Sequence, residues 1–290
     1  MPRLRTLVLV TLALAGGAWL LSQRPRAVLQ EETEAGSIRV VERRDGVREL
    51  YLGTGRGRQT ALHPDRPDRL ELPYTRVAMA ALATVREDPR ILFVGLGGGA
   101  MPRYVRLLLP EARIQVVELE PRVVEVAREW FGFRTDSLLS VHVGDGRAFI
   151  EAAAPGSWDL VVLDAFSGAA IPERLTTREF LEAVEASLAT GGVVVSNLHT
   201  TFAEYGSMLA TYQSIFPGVI LLDVPRRRQR ILLAGPAALL DRESLLSGIR
   251  ALEARRDPGF DLSGTVEWGF ELPEPATDEV LRDPRPFGGA

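Results

Sequence analysis

Cysteine is absent from all 290 residues, which excludes disulfides, thiolate metal sites and a cysteine nucleophile. Histidine is scarce: His63, His142 and His199 stand far apart without metal-type spacing, so no metal site is expected. There is also no basic excess. The 34 basic and 38 acidic residues leave a net charge of −4, which gives no electrostatic footprint for nucleic acid. A hydrophobic content of 46% is enough for one large domain, or a small domain plus a larger one. No internal repeat is visible. Residues 7–21 form an apolar segment that stands apart, with Arg3 and Arg5 before it and Arg24 and Arg26 after it. It is shorter than the roughly 20 residues usual for a spanning helix. Because it is apolar all round and flanked by arginines, residues 1–30 are expected to hold a membrane anchor, with the body of the chain in the cytoplasm. Export is the alternative if residues 1–15, which end on Ala13-Leu-Ala15, are a cleaved signal.

What is present in abundance is glycine, concentrated after an apolar run. Residues 91–94 (ILFV) lead into Gly95-Leu-Gly97-Gly98-Gly99-Ala100, then a helical pattern, then a second apolar run, 114–117, ending on Glu118. Glycines let a backbone turn sharply and bring its N–H groups close to a ligand, and a helix N-terminus favours polar or anionic groups. An acid about 20 residues further on can accept both hydroxyls of an adenosine ribose. The stretch reads as a nucleoside-cofactor site. Gly95, Gly97 and Ala100 also satisfy the dinucleotide pattern, so a dinucleotide and an S-adenosyl compound are both open from these residues.

Around this stretch, strands alternate with helices. Residues 30–36 are acidic and read as a linker. Asp45-Gly46 between β-rich runs predicts a hairpin, and 37–70 a small β-rich module. Residues 72–85 are a helix candidate. After Glu118 come a helix at 123–131, a strand at 139–143, a helix at 147–153 and a buried strand at 160–163 ending on Asp164. Thr176 to Glu179 resembles a capping box for a helix at 180–188, which Gly191-Gly192 separates from a strand at 193–196. A helix at 202–215 and strands at 219–222 and 231–234 complete the pattern, and 265–290 is a Pro- and acid-rich tail. The expected fold is α/β. Residues 71–264 would form a Rossmann-like, doubly wound, mainly parallel sheet of the S-adenosylmethionine-dependent methyltransferase type, preceded by the β-rich module and the N-terminal hydrophobic helix.

Ligands of doubly wound sheets sit at the carboxyl ends of the strands. Here those ends carry Gly95, Glu118, Gly144-Asp145-Gly146 and Asp164. A carboxylate at Asp145, between two glycines, can accept from an adenine amino group or simply cap the next helix.

With these motifs in place the chain resembles the polyamine aminopropyltransferases, the spermidine synthase family. The likeness rests on GLGGGA at Gly95, VVELEP at Val116, VGDGRAFI at Val143, DLVVLDAFSG at Asp159, then LTTREFL and GGVVVSNL, with Arg58-Gln59 and Pro73-Tyr74 ahead of the glycines. The resemblance favours an S-adenosyl-type ligand and implies roles for residues. Gln59, Gly95, Gly97, Gly98, Glu118, Asp145 and Gly146 would bind the co-substrate, with Glu118 on ribose and Asp145 on adenine. Tyr74 would contact the amine, and Asp164 would be the first acid of a catalytic pair. The implied reaction moves an aminopropyl group from decarboxylated S-adenosylmethionine to an amine such as putrescine, releasing methylthioadenosine. It needs no prosthetic group, and it leaves room for a homodimer.

Three positions depart from the family pattern. The family's glycine loop carries an acid where this chain has Gly98. The second acid of the family motif after the fourth strand is Ser167 here, and Arg226-Arg227-Arg228-Gln229-Arg230 falls near the expected amine loop. The readings are therefore an aminopropyltransferase first, a methyltransferase using intact S-adenosylmethionine second, and a non-catalytic, membrane-tethered nucleoside-binding homologue third.

Overall fold

The computed structural model describes residues 25–33, 36–53, 57–166, 171–226 and 228–284. The apolar segment at 7–21 and Ser167 lie outside them. Among the described residues no helix is long and apolar enough to cross a membrane.

The chain opens with a four-stranded antiparallel sheet, β1 (Arg26–Thr33), β2 (Gly36–Glu42), β3 (Arg48–Leu52) and β4 (Arg58–Leu62), in sequential order. The Asp45-Gly46 turn joins β2 to β3: Gly46 has φ 82°, and the Asp45 carboxylate accepts from the Val47 N–H at 3.2 Å. Of the residues 30–36 expected as a linker, 30–33 and 36 are instead the paired ends of β1 and β2, and Arg26 already belongs to β1. The reason is packing. Val28 and Leu29 sit against a cluster of Ile38, Val40, Leu50 and Leu62 that buries Val123, Val126 and Phe131, of which Val123 and Val126 lie on the helix Pro121–Trp130. Glu31 meets Arg122 of that helix through paired contacts of 2.6 and 3.1 Å.

The second sheet has eight strands: β5 (Arg90–Val94), β6 (Arg113–Glu118), β7 (Leu139–Val143), β8 (Trp158–Leu163), β9 (Leu188–His199), β10 (Gly218–Asp223), β11 (Gln229–Gly235) and β12 (Phe270–Glu271). Their order is β12-β10-β11-β9-β8-β5-β6-β7. Strands β5 to β9 pair in parallel. Both faces are covered, and alternation sorts the side chains: Ile91 and Phe93 enter one core, Leu92 and Val94 the other. The chain runs from β5 outward through β6 to β7, then returns to place β8 on the other side of β5. That reversal opens a crevice at the carboxyl ends of β5, β6 and β8.

Several local expectations change. Within the mainly parallel sheet, β10 and β11 are antiparallel to each other, and β11 is antiparallel to β9. The segment between β10 and β11 is far shorter than the dozen or so residues a parallel crossover requires. The helix expected over 72–85 is an α-helix, Pro73–Ala78, continued by a 3-10 turn, Met79–Thr84. The helix Arg178–Ser187 is capped by Thr177, whose hydroxyl accepts from the Phe180 N–H; with the cap one residue later than Thr176, the third position is Phe180 rather than Glu179, so the capping box does not form, and Glu179 accepts from the Asp283 N–H at 2.8 Å. Gly191 and Gly192 lie inside β9. Beyond 264 the chain completes the helix Leu262–Gly269 and adds β12 to the sheet edge, Leu222 facing Phe270.

Candidate active site

The crevice at the strand reversal is a cavity of about 580 Å³ between the two sheets, a volume in the range of ligand pockets. Gln59 and Thr60 reach it from β4 and Tyr74 from the first helix. Glu118 ends β6, and Asp145 and Asp164 follow β7 and β8. Gly95 has φ 101°, and a Cβ there would stand 2.5 Å from the Asp164 carbonyl oxygen. Only a glycine lets the loop after β5 pass so close to the loop after β8, which keeps the glycine turn and Asp164 in one site.

Glu118 turns its carboxylate back on the glycine loop. One oxygen accepts from the Leu96 N–H at 2.9 Å and the other from the Glu120 N–H at 3.0 Å. Burial raises its pKa, while the N–H groups of Glu120, Leu96, Gly97 and Leu119 pull the other way. Among the described residues, only the Leu96 and Glu120 N–H groups make well-formed hydrogen bonds to it, one on each oxygen, which leaves acceptor capacity for two vicinal hydroxyls.

Asp164 sits between two hydrogen-bond donors. Tyr74 donates its hydroxyl to Oδ2 at 2.9 Å and Asn197 donates its amide to Oδ1 at 3.2 Å. Burial pushes the Asp164 carboxyl above its ordinary value despite those two hydrogen bonds. Tyr74, itself buried, is held well above the usual phenol range by burial and by the Asp164 charge beside it. Behind Asn197, Gln229 donates to its Oδ1 at 3.3 Å and lies 3.1 Å from the His199 ring nitrogen. His199 stacks on Phe202 with centroids 5.0 Å apart, and burial lowers its pKa.

Asp145 faces two ways. It caps the helix Gly146–Glu151 through the Ala148 N–H at 2.8 Å, and it lines the cavity, where Arg174 meets its Oδ2 at 2.8 Å. Gln59, Gly97 and Gly146 also line the cavity. Gly98 does not, and its N–H is spent on the Thr60 hydroxyl at 2.8 Å. A Cβ on Gly98 would come within 2.7 Å of the Thr60 methyl and 3.0 Å of the Phe131 ring, so the volume of the family acid is taken by neighbours. Gly98→Asp is accordingly expected to cost about 1–3 kcal/mol of stability, the usual penalty of overpacking. Chemical denaturation measures it, and unchanged stability would show that Thr60 and Phe131 yield.

The arginine run falls near the expected amine loop, and a charge run of this kind is more often a solvated face than a lining. Arg226 and Arg228 are exposed, Arg230 pairs with Asp223 at 2.8 Å and Glu271 at 2.8 Å, and none of the three lines the cavity. Residue 227 lies outside the described residues. Sequence reasoning missed Asn197, Thr60 and Arg174. A signal for the first existed: SNL ends the strand after the one ending on Asp164, and parallel pairing sets Leu163 beside Ser196.

The strand order, the glycine turn at the reversal and the carboxylates at successive strand ends define a Rossmann-like fold of the methyltransferase and spermidine synthase type. Comparison with known proteins narrows this. The Spermine/spermidine synthase domain matches residues 74–217. A polyamine aminopropyltransferase of Vibrio vulnificus is 35% identical over 204 residues, 69% of this chain and 68% of the relative. A probable spermidine synthase from Corynebacterium glutamicum superposes with a TM-score of 0.73 at 22% identity, covering 92% of this chain and all of that one. Human methyltransferase-like protein 13, solved in complex with SAH, gives a TM-score of 0.58 at 28% identity over 65% of this chain and 95% of that one. The chain belongs to the spermidine synthase family of polyamine aminopropyltransferases.

Proposed function

We propose that this cavity binds decarboxylated S-adenosylmethionine and transfers its aminopropyl group to an amine such as putrescine, leaving methylthioadenosine. The carrying observation is that Asp164, bracketed by Tyr74 and Asn197, opens into the same cavity as Glu118. Glu118 accepts the ribose hydroxyls, Asp145 the adenine amino group, and Gln59 contacts the co-substrate. An ammonium cannot attack carbon. Asp164 takes its proton, the free nitrogen attacks the aminopropyl carbon next to the sulfonium, and the carbon–sulfur electrons leave on sulfur. A carboxyl raised by burial is the better base, because its pKa lies nearer the working pH. Holding nitrogen, carbon and sulfur in line supplies much of the remaining acceleration.

A second reading, methyl transfer from intact S-adenosylmethionine, is favoured by one observation: Gly98 offers no carboxylate to hold an aminopropyl ammonium or to repel the carboxylate of intact S-adenosylmethionine. Calorimetric titration with the two forms separates the readings. Tighter binding of the decarboxylated form supports aminopropyl transfer; binding of the intact form alone moves the assignment to methyl transfer.

The network also sets a pH dependence. The Asn197 donor stabilises the charged form of Asp164, so Asn197→Leu raises that pKa further. Activity needs the carboxylate and is lost as pH falls through its pKa, so the acidic limb of kcat/KM should move to higher pH. A hydrogen bond to a charged group is worth about 1.5–3 kcal/mol, which corresponds to about 1–2 pH units. A limb that stays in place would remove Asn197 from the account.

A further inference from the structure

Arg174 was not singled out by any motif, yet it faces the cavity beside the expected adenine acceptor. It sits on the 3-10 turn Glu173–Leu175, and Pro172 and Leu175 on either side of it line the same cavity. Its guanidinium forks onto Asp145, with Nη1 2.8 Å from Oδ2 and Nη2 3.0 Å from Oδ1. Its backbone is fixed separately: the Arg174 carbonyl accepts from Arg147 at 3.1 Å, and Asp283 grips Arg147 at 2.6 and 2.5 Å. The side chain itself is 56% exposed, so its face is open.

The hydrogen-bond inventory leaves room for a third partner. A carboxylate has about four lone-pair sites. Asp145 Oδ1 is filled by the Ala148 N–H and Arg174, and Oδ2 takes only Arg174, so Oδ2 can still accept an exocyclic amino group. A guanidinium pinned edge-on to a carboxylate keeps its flat faces free, and such faces stack on aromatic rings, which an ammonium does poorly.

We propose that Arg174 is a nucleobase-contact residue. Held by Asp145, its guanidinium forms a planar cationic wall for the adenine ring, while the adenine amino group bonds the open site on Asp145 Oδ2. The assignment rests on the adenosine reading of the cavity and deepens it, because it makes base recognition depend on a residue outside the family motifs.

The test is titration of methylthioadenosine into the full chain as wild type, Arg174→Ala and Arg174→Lys, with thermal unfolding of each variant as the control for folding. Arg174→Ala should bind up to about ten-fold more weakly, the size expected for a cation–aromatic contact between the exposed and the desolvated limits. Arg174→Lys should recover little of that loss. Equal or tighter binding by Arg174→Ala overturns the proposal, since Arg174 would then be competing with the base for Asp145. Full recovery by lysine overturns the planar contact. If the wild type itself fails to bind, the adenosine reading falls and the Arg174 assignment with it.

Discussion

Asp164→Asn is expected to leave methylthioadenosine binding intact and to lower turnover by about 10²–10⁴-fold, the usual contribution of a positioned acid or base. The substitution keeps the size of the group and its acceptor oxygen. The Tyr74 hydroxyl, 2.9 Å from Oδ2, and the Asn197 amide, 3.2 Å from Oδ1, therefore retain a similar frame. What is lost is the charge that removes the amine proton. Tyr74 cannot take over as a base at neutral pH, because burial, the largest cause of its raised pKa, holds its hydroxyl protonated even without the neighbouring carboxylate. Steady-state kinetics with putrescine and decarboxylated S-adenosylmethionine measures the effect. Near-wild-type turnover would remove Asp164 from the mechanism.

Glu118→Ala should weaken methylthioadenosine binding by about 1.5–3 kcal/mol, the worth of hydrogen bonds to a charged acceptor. The same change strips acceptors from the Leu96 and Glu120 N–H groups, which loosens the glycine loop from the end of β6. Glu118→Gln separates the two effects. An amide oxygen can still accept from one of those N–H groups, so the glutamine variant should keep more of the loop's thermal stability than the alanine one while still losing affinity. Titration calorimetry and thermal unfolding on both variants make the comparison. Unchanged affinity in folded Glu118→Ala would place the ribose elsewhere.

Much of the sheet could be read from local pattern because its strands are short apolar runs bounded by glycine or acid. The strand at 139–143 has the expected limits, and the run at 91–94 lies within β5. The antiparallel direction of β10 and β11 was not legible in their apolar runs, because apolar content does not encode direction; the short connection between them does. The carboxylates were legible because each follows a strand. Their partners were not, because those contacts span the chain: Asn197 reaches Asp164 across two neighbouring parallel strands, and Thr60 reaches Gly98 from the other sheet. Gly98 shows the limit most clearly. The sequence shows that an acid is missing there, but only packing shows that Thr60 and Phe131 leave no volume for one. The capping box failed for a local reason, since two adjacent threonines compete for the cap and Thr177 takes it, which moves Glu179 out of the box position.

The most direct test of the aminopropyl-transfer assignment is product analysis of the purified chain given an equimolar mixture of decarboxylated and intact S-adenosylmethionine with putrescine. The account predicts methylthioadenosine and an aminopropylated amine in equal amounts, abolished to within about 10²–10⁴-fold by Asp164→Asn. Formation of S-adenosylhomocysteine and a methylated acceptor, without methylthioadenosine, would contradict it.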